Sequence, residues 1–431
     1  MREKFLAAAG IAVMILVVAA AVWLPGSDGR AVLGVRAEFL IFAITLLGVA
    51  LLHERTLEVA ATGLLFILAL KFLGAGPQGF HLGEHLWHEA PILVNLLGLL
   101  LGFAVLARHF EQSGVPDLLP ALLPDNWTGG LVLLALIFVM SSFLDNIAAA
   151  MIGGTVAMHV YRKRVHIGYL AAIVAASNAG GAGSVVGDTT TTMMWISGVH
   201  WTHVLHAYIG AVAAFAVFAV AGARQQHRHQ PIEHDPKPGV RVHWRRVWAV
   251  TLILAGAIAT NVLLDFPAAG VWAAILLAAL FTRTDWRMVP AALKGSLFLL
   301  TLVLCASLMP VSQLPAASWP NTLGLGFLSA VFDNIPLTKL ALDQGGYDWG
   351  FLAYAVGFGG SMIWFGSSAG VALANIFPEA RTVSRWLWRG WHVAIAYVIG
   401  FVALLAVMGW QPADRTAAPP AEGAHSVLAP G

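Results

Sequence analysis

The sequence predicts an all-α polytopic membrane protein with about eleven transmembrane helices and two re-entrant hairpins, arranged as inverted repeats with interrupted helices. Of its 431 residues, 59% are hydrophobic and only 11% are charged, and the mean hydropathy is +0.78. Soluble domains carry about a quarter charged residues. Apolar runs of about 20 residues recur along the chain, and that length crosses a bilayer as a helix. Two polar motifs that interrupt these runs occur twice in the same order.

Composition also narrows the possible functions. The net charge of +2 gives no reason to expect a nucleic-acid partner, and the single cysteine, Cys305, excludes a disulfide framework. The first apolar run, 5–24, follows a charged start and has the form of a signal peptide or a first span. Its length favours a retained first helix within residues 1–30.

The remaining apolar runs fall into two halves. Two segments with polar centres, 129–159 and 322–342, are predicted to be hairpins that enter the membrane and return to the same side. The first inverted repeat, 31–223, contains the inward-opening hairpin, and the second, 247–410, contains the outward-opening one. A cytoplasmic linker, 224–246, joins them, and an Ala- and Pro-rich tail, 411–431, is expected to be disordered. The predicted full spans are 35–52, 57–74, 91–107, 167–198, 203–223, 247–264, 268–282, 290–311, 350–376 and 390–410.

The distribution of basic residues supports two hairpins. Cytoplasmic loops of membrane proteins are enriched in Lys and Arg. With two hairpins the basic clusters, including 162–164, the linker and 381–389, all lie on the cytoplasmic side, and Arg30 and Arg36 are the exceptions. If either segment crossed fully, the later clusters would lie outside. This topology places the N-terminus in the cytoplasm and the C-terminus outside, in a bacterial inner membrane.

The internal repeat points to transport. Residues 141–147 (SSFLDNI) match 329–335 (SAVFDNI), and 180–189 (GGAGSVVGDT) match 359–368 (GGSMIWFGSS). Inverted repeats with interrupted helices mark a substrate site near the membrane midplane of secondary transporters. The sequence therefore predicts a transporter whose site lies at these motifs.

Three acids carry the predicted chemistry. Asp145, Asp188 and Asp333 lie in otherwise apolar segments, where a charge costs about 3 kcal/mol. Neighbouring amides and hydroxyls add oxygen ligands of the kind that hard cations prefer. Desolvation favours a neutral carboxyl, so a proton and a cation can compete for it. The second half has Ser367 in place of Asp188. Lys339 is expected to neutralise either Asp333, which would then be structural, or another acid.

The run 178–191 (NAGGAGSVVGDTTT) resembles the signature of NhaD-type sodium/proton antiporters, although it departs from that signature at 183–186. These antiporters belong to the ion-transporter superfamily that also holds arsenite permeases and citrate and dicarboxylate carriers. The resemblance covers roughly 90–410. It implies exchange of sodium or lithium for protons, no cofactor, homodimers in a lipid bilayer and elevator-type motion. The ion- and proton-binding candidates are Asp145, Asn146, Asn178, Asp188, Thr190, Thr191, Asp333, Asn334 and Ser367, with Asp145 and Asp188 as transient sodium ligands.

Three alternative functions fit these motifs less well. A cation-coupled citrate or dicarboxylate carrier shares the scaffold, but such carriers typically place a neutral Ser-Asn-Thr at the hairpin tips, and an acid there repels a carboxylate unless a cation shields it. The order Asp-Asn disfavours arsenite export. An intramembrane aspartyl protease requires a Gly-x-Gly-Asp motif, and Val185 occupies its first glycine position. No enzymatic activity is therefore expected.

Overall fold

The computed structural model describes residues 2–23, 31–32, 35–52, 55–73, 80–233 and 241–413. Within these ranges the chain is helical, apart from loops and an antiparallel ladder of two residues per strand between β1 (Ala31–Val32) and β2 (Val35–Arg36). The helices are α1 Arg2–Trp23, α2 Ala37–Leu51, α3 Thr56–Leu73, α4 Leu82–Glu111, α5 Trp127–Ser141, α6 Asn146–Val160, α7 Ile167–Ala182, α8 Thr189–Ile196, α9 Trp201–Leu205, α10 Ala207–His229, α11 Trp244–Leu264, α12 Pro267–Ala278, α13 Met288–Ser307, α14 Trp319–Ser329, α15 Asn334–Gln344, α16 Trp349–Gly359, α17 Ser368–Ile376, α18 Val383–Arg389 and α19 Trp391–Met408.

The predicted all-α polytopic class is confirmed. Among the described residues six helical stretches are long and apolar enough to cross a membrane: α3, α4, α9 with α10, α11, α13 and α19. Shorter apolar helices, including α5, α6 and α7, lie between them. Helix α10 continues to His229, so it takes up the first residues of the predicted linker. Arg30, 234–240 of that linker and 414–431 of the predicted tail lie outside the described residues.

The two halves of the internal repeat share the same local backbone geometry. In the first half the chain breaks between α5 and α6 and again between α7 and α8; in the second, it breaks between α14 and α15 and between α16 and α17. Asp145 and Asp333, which precede α6 and α15, have φ/ψ of −53°/140° and −54°/140°. Asp188 and Ser367, which precede α8 and α17, have −143°/143° and −139°/152°. The repeated motifs therefore fold alike. The inverted orientation and opening sides of the hairpins stay predictions.

Equivalent hydrogen bonds attach each hairpin to the broken helix that follows it. The Ser141 hydroxyl donates to the carbonyl oxygen of Ser177 (2.5 Å), and the Ser329 hydroxyl donates to that of Val356 (2.7 Å). Small residues allow this close approach. Gly359 packs directly on the backbone of α14, where a Cβ would meet the carbonyl oxygen of Gly326. The twin hairpins thus depend on backbone-to-backbone packing.

We expect Gly326→Ala to lower thermal stability, whereas Gly324→Ala in the same helix should not. A Cβ on Gly326 would meet the Tyr397 hydroxyl and would lie 2.6 Å from the carbonyl oxygen of Ala355, while one on Gly324 would meet nothing within 4 Å. Forcing an extra methyl into a packed interior costs about 1–3 kcal/mol. The unfolding midpoints of the purified variants in detergent provide the measurement. Equal midpoints for the two variants would contradict the packing at α14.

The two repeats pack crosswise, and this brings their breaks together. Helix α6 of the first hairpin packs on α17, α8 packs on α15 of the second hairpin, and α7 packs on α16. Helices α4 and α13 pack on each other and flank this centre, α4 beside α8 and α13 beside α15. As a result α6, α8, α15 and α17 all begin in the region between the repeats.

Candidate functional site

A chain of buried amides and hydroxyls links the two repeats at the helix breaks. The Asn146 Nδ2 donates to Asp188 Oδ1 (2.8 Å) and to Asn178 Oδ1 (3.1 Å). The Asn178 Nδ2 then donates to the Ser361 Oγ (2.9 Å), which belongs to the second repeat. All four residues are buried. Three predicted site residues, Asn146, Asn178 and Asp188, therefore lie together.

Ser361 belongs to this hydrogen-bonded series, although the sequence did not predict it as a site residue. It lies in the short 3₁₀ turn Gly360–Met362, just after α16. Its counterpart in the first repeat is Ala182, so the repeat carried no polar signal at this position. The Gly-Gly-Ser run around it was recognised as part of the motif, but the side-chain contact with Asn178 depends on the packing of α7 against α16.

Two buried oxygens at this site, Asp188 Oδ2 and Thr190 Oγ1, have no hydrogen-bond partner with good geometry within the described part of the chain. The Thr190 hydroxyl nevertheless lies close enough to the Asp188 carboxylate to interact with it. A buried polar group without a partner costs about 1–3 kcal/mol, so native structures rarely retain one without a reason. Gly357 leaves room beside the carboxylate, since a Cβ there would lie 3.2 Å from Asp188 Oδ2. The two free oxygens are therefore suited to bind a ligand.

The neighbouring threonines stabilise the break that precedes α8. The Thr191 hydroxyl donates to the carbonyl oxygens of Ser184 (2.5 Å) and Asp188 (2.9 Å). The Thr192 hydroxyl donates to those of Val185 (3.0 Å) and Asp188 (2.8 Å). Both hydroxyl protons are thus engaged with the backbone, which separates these threonines from Thr190. Ion binding by Thr191 stays a prediction.

The repeat-related cap residues differ in how they use their side chains. In the second half Asp333 Oδ1 accepts from the Ile335 N–H (3.0 Å), and Ser367 Oγ accepts from the Gly370 N–H (3.3 Å). In the first half neither Asp145 nor Asp188 makes a capping hydrogen bond, although the Asp145 carboxylate faces the N–H groups that begin α6. Among these four cap residues, Asp188 is therefore the one whose carboxylate keeps a buried oxygen without a well-aligned hydrogen bond.

The prediction that Lys339 neutralises Asp333 is wrong. The alternative prediction, that Lys339 neutralises another acid, is confirmed. The Lys339 ammonium lies 2.9 Å from Glu89 Oε2 and 2.8 Å from Asp343 Oδ1. Glu89 belongs to α4 and lies 250 residues before Lys339, so spacing gave no sign of this pair. Helix α15 turns the lysine side chain towards α4 and away from its own N-terminal cap, Asp333. The cluster fastens the second hairpin to α4.

A cavity of about 480 Å³ reaches the site. Asp145, Asn146, Asp188 and Asn334 line its inner part, and mainly apolar side chains line the remainder. Asp188 also interacts electrostatically with Asp145 and Asp333, so the three predicted acids lie near one another. The predicted candidates Asn334 and Ser367 are both buried, and Asn334 faces the same cavity from α15.

The cavity is also lined by two residues at the C-terminal end of α4, Arg108 and Glu111, which are partly exposed. Arg108 pairs with Glu111 (2.8 Å) and with Asp285 (3.1 Å). Its charge is therefore balanced by acids, and among the described residues it is the only Lys or Arg in the lining. The lining is thus acidic on balance.

The ligands that this site offers are oxygens. Within the described ranges no three His, Cys, Asp or Glu side chains are grouped to hold a metal ion. The available oxygens come instead from a carboxylate, amides and a hydroxyl, on Asp188, Asn146, Asn178 and Thr190. Hard cations bind such oxygens. Transient binding of a small cation is the chemistry that this arrangement supports.

Comparison with known proteins agrees with this geometry. A family model described as "Citrate transporter" matches residues 49–359. "Sodium/proton antiporter 1" of Arabidopsis thaliana is 27% identical over 433 residues, covering 86% of this chain and 72% of the relative. "Na(+)/H(+) antiporter NhaD" of Vibrio parahaemolyticus is 27% identical over 301 residues, with 55% and 71% covered, and that of Alkalimonas amylolytica is 27% identical over 334 residues, with 64% and 68% covered. These matches confirm the resemblance predicted from residues 178–191.

Proposed function

Because the chain belongs to the citrate transporter family and resembles NhaD-type antiporters, we propose that it exchanges sodium or lithium for protons at Asp188. The family consists of membrane transporters, so the chain is a multi-pass transporter and not an enzyme. The observation that carries the proposal is the buried oxygen pair of Asp188 Oδ2 and Thr190 Oγ1, neither of which has a well-aligned hydrogen bond among the described residues, next to a cavity that Asp188 lines.

The contacts of Asp188 explain how one carboxylate serves both ions. Asn146 holds Oδ1 by a hydrogen bond, which orients the carboxylate, and the Thr190 hydroxyl lies within reach of the same carboxylate. A cation at Oδ2 requires the carboxylate to be ionised, whereas a proton on Oδ2 removes the charge that attracts the cation. Binding of one ion therefore releases the other, and this competition couples the two fluxes.

The two remaining acids, Asp145 and Asp333, have different roles in this proposal. Asp145 begins α6 and lines the same cavity, so it is the candidate for a second exchanging carboxylate. The N-termini of α6 and α8 carry partial positive charge, which offsets the cost of holding ionised carboxylates inside the membrane. Asp333 is assigned the lesser role because its carboxylate already caps α15.

A cation-coupled citrate or dicarboxylate carrier is the second candidate, favoured by the description of the family model. The cavity lining does not favour it. Asp145, Asp188 and Glu111 face the cavity, and the only basic side chain in the lining, Arg108, is already paired with two acids. A polycarboxylate would meet repulsion there without an unpaired cationic partner.

Proteoliposomes that contain the purified protein and an internal pH dye test the two candidates. We expect sodium or lithium added outside to change the internal pH, while potassium leaves it unchanged, and we expect no counterflow of labelled citrate or succinate. The physical reason is that the site offers oxygens for a small hard cation and acids that repel carboxylates. Citrate counterflow without cation-driven proton movement would replace the antiporter proposal with the carrier.

We further infer a homodimer in a bacterial inner membrane, with the N-terminus inside and the C-terminus outside, from the resemblance and the positions of basic residues. Cys305 is buried, so an introduced cysteine can be labelled selectively. Ala316→Cys should react with an impermeant thiol reagent added to intact cells, and Arg164→Cys should not. Reaction of both variants, or a monomeric mass by light scattering, would overturn the corresponding part of this inference.

A further inference from the structure

A second pocket, of about 890 Å³, lies away from the ion cavity and is lined by basic side chains from three elements. His166 immediately precedes α7, Arg228 and His229 end α10, and Arg389 ends α18. Helix α7 can approach α10 and α18 closely because it has a glycine, Gly168, at the contact. A Cβ at Gly168 would meet the Gln225 side chain and would lie 2.5 Å from the carbonyl oxygen of Arg389. The pocket therefore depends on the tertiary packing of these elements.

The pocket carries positive charge that the described residues do not neutralise. None of its lining side chains is acidic. Within the described part of the chain Arg228 and Arg389 make no ion pair or hydrogen bond, whereas Arg108 pairs with Glu111 and Arg162 pairs with Glu233 (3.1 Å). Two guanidinium groups with free donors in one concave site are a typical arrangement for binding phosphate.

His166 adds a neutral donor to this charge. Burial, together with the charges of His229 and Arg389, lowers the pKa of His166 to about 4, so its ring is neutral at physiological pH. Its Nδ1 accepts from the Gly168 N–H (3.1 Å), which places the ring proton on Nε2. The Nε2–H group is therefore available as a donor. The amide of Gln225 and the hydroxyl of Ser384 also line the pocket.

The rim of the pocket is apolar and exposed. Trp388 is 77% exposed and Trp391 is 51% exposed, and Leu387 lies beside them. Indole rings concentrate at the level of the lipid headgroups, where one side is apolar and the other is wet. Basic pockets between transmembrane helices bind anionic lipid headgroups. The basic interior is therefore complementary to an anionic headgroup, and the aromatic rim is complementary to the adjoining acyl chains.

We propose that this pocket binds an anionic glycerophospholipid, with its phosphate between Arg228 and Arg389 and its acyl chains against Trp388 and Trp391. The phosphate oxygens accept hydrogen bonds from the two guanidinium groups and from His166 Nε2. A lipid held there joins the end of α10 to α18, which lie on either side of the linker in sequence. It therefore stabilises the contact between the two halves of the chain, at a site separate from Asp188.

The proposal can be tested by measuring the unfolding midpoint of delipidated protein in detergent. Phosphatidylglycerol, phosphatidylcholine or soluble glycerol phosphate is added in separate samples. We expect only phosphatidylglycerol to raise the midpoint of the wild type. The double variant Arg228→Gln/Arg389→Gln should lose that rise and bind the lipid at least about tenfold more weakly, because it lacks the charge-assisted hydrogen bonds. The matched double variant Arg245→Gln/Arg287→Gln, which changes two arginines outside the pocket, should keep the rise.

Native mass spectrometry supplies a readout that does not depend on the variant's own stability. It counts lipid molecules retained per protein chain, and the pocket variant should lose one phosphatidylglycerol relative to both the wild type and the control variant. Equal stabilisation by phosphatidylcholine, an unchanged lipid count in the pocket variant, or the same rise with glycerol phosphate alone would overturn the proposal. The last result would identify a soluble phosphate compound as the ligand.

Discussion

Asp188→Asn should reduce sodium-dependent proton movement in proteoliposomes to the level of protein-free liposomes. The substitution keeps the shape of the side chain and an acceptor for the Asn146 hydrogen bond of 2.8 Å. It removes the ionisable oxygen that faces Thr190, and an amide neither gains nor releases a proton in the physiological range. A carboxylate that exchanges a proton for a cation is therefore lost while the packing is retained.

Asp333→Asn is the matched control for this substitution. Asp333 is the repeat-related acid at the start of α15, and its carboxylate accepts from the Ile335 N–H. Asparagine is as good an N-cap residue as aspartate, so the helix should remain intact. We expect this variant to retain most of the exchange rate. Full exchange by Asp188→Asn, or loss of exchange by Asp333→Asn with normal folding, would contradict an ion site centred on the first half.

Lys339→Met should lower the free energy of unfolding by about 3–5 kcal/mol, as expected when one partner of a buried ion pair is removed. The Lys339 side chain is only 3% exposed, and the variant removes this cation from beside the buried Glu89 and the mostly buried Asp343. The decrease should appear as a much lower unfolding midpoint in detergent. The simultaneous change of Glu89→Gln and Asp343→Asn should recover part of the loss, because no uncompensated charge then remains.

Lys294→Gln provides the comparison for an exposed pair. Lys294 lies 3.8 Å from Glu58, and both side chains are 61% exposed, so water already screens their attraction. We expect its unfolding midpoint to stay close to that of the wild type. If Lys339→Met behaved like Lys294→Gln, the cluster that attaches the second hairpin to α4 would contribute little to stability.

Local patterns in the sequence were sufficient to predict several features of the structure. Apolar runs of helical length predicted the polytopic all-α class, because hydropathy depends on each segment and the bilayer and not on which helices are neighbours. The repeated Asp-Asn and Gly-rich motifs located both pairs of helix breaks, since a cluster of Gly and polar residues within an apolar run lowers the local preference for a helix. The same motifs selected Asn146, Asn178 and Asp188, which the structure brings together.

Tertiary structure alone decided which partner each of these side chains has. The repeat makes Asp145 and Asp333 look equivalent, yet the Asp333 carboxylate makes the better-aligned cap. Only packing of α7 on α16 gives Asn178 the Ser361 hydroxyl. Lys339 pairs with Asp343, four residues later in the same helix, and with Glu89 of α4; only the second of these pairs required tertiary structure. Sequence by itself determined the kind of residue at each break, through local propensity and hydropathy. Contacts between residues far apart in the chain determined which oxygens remained free, because they depend on how helices pack.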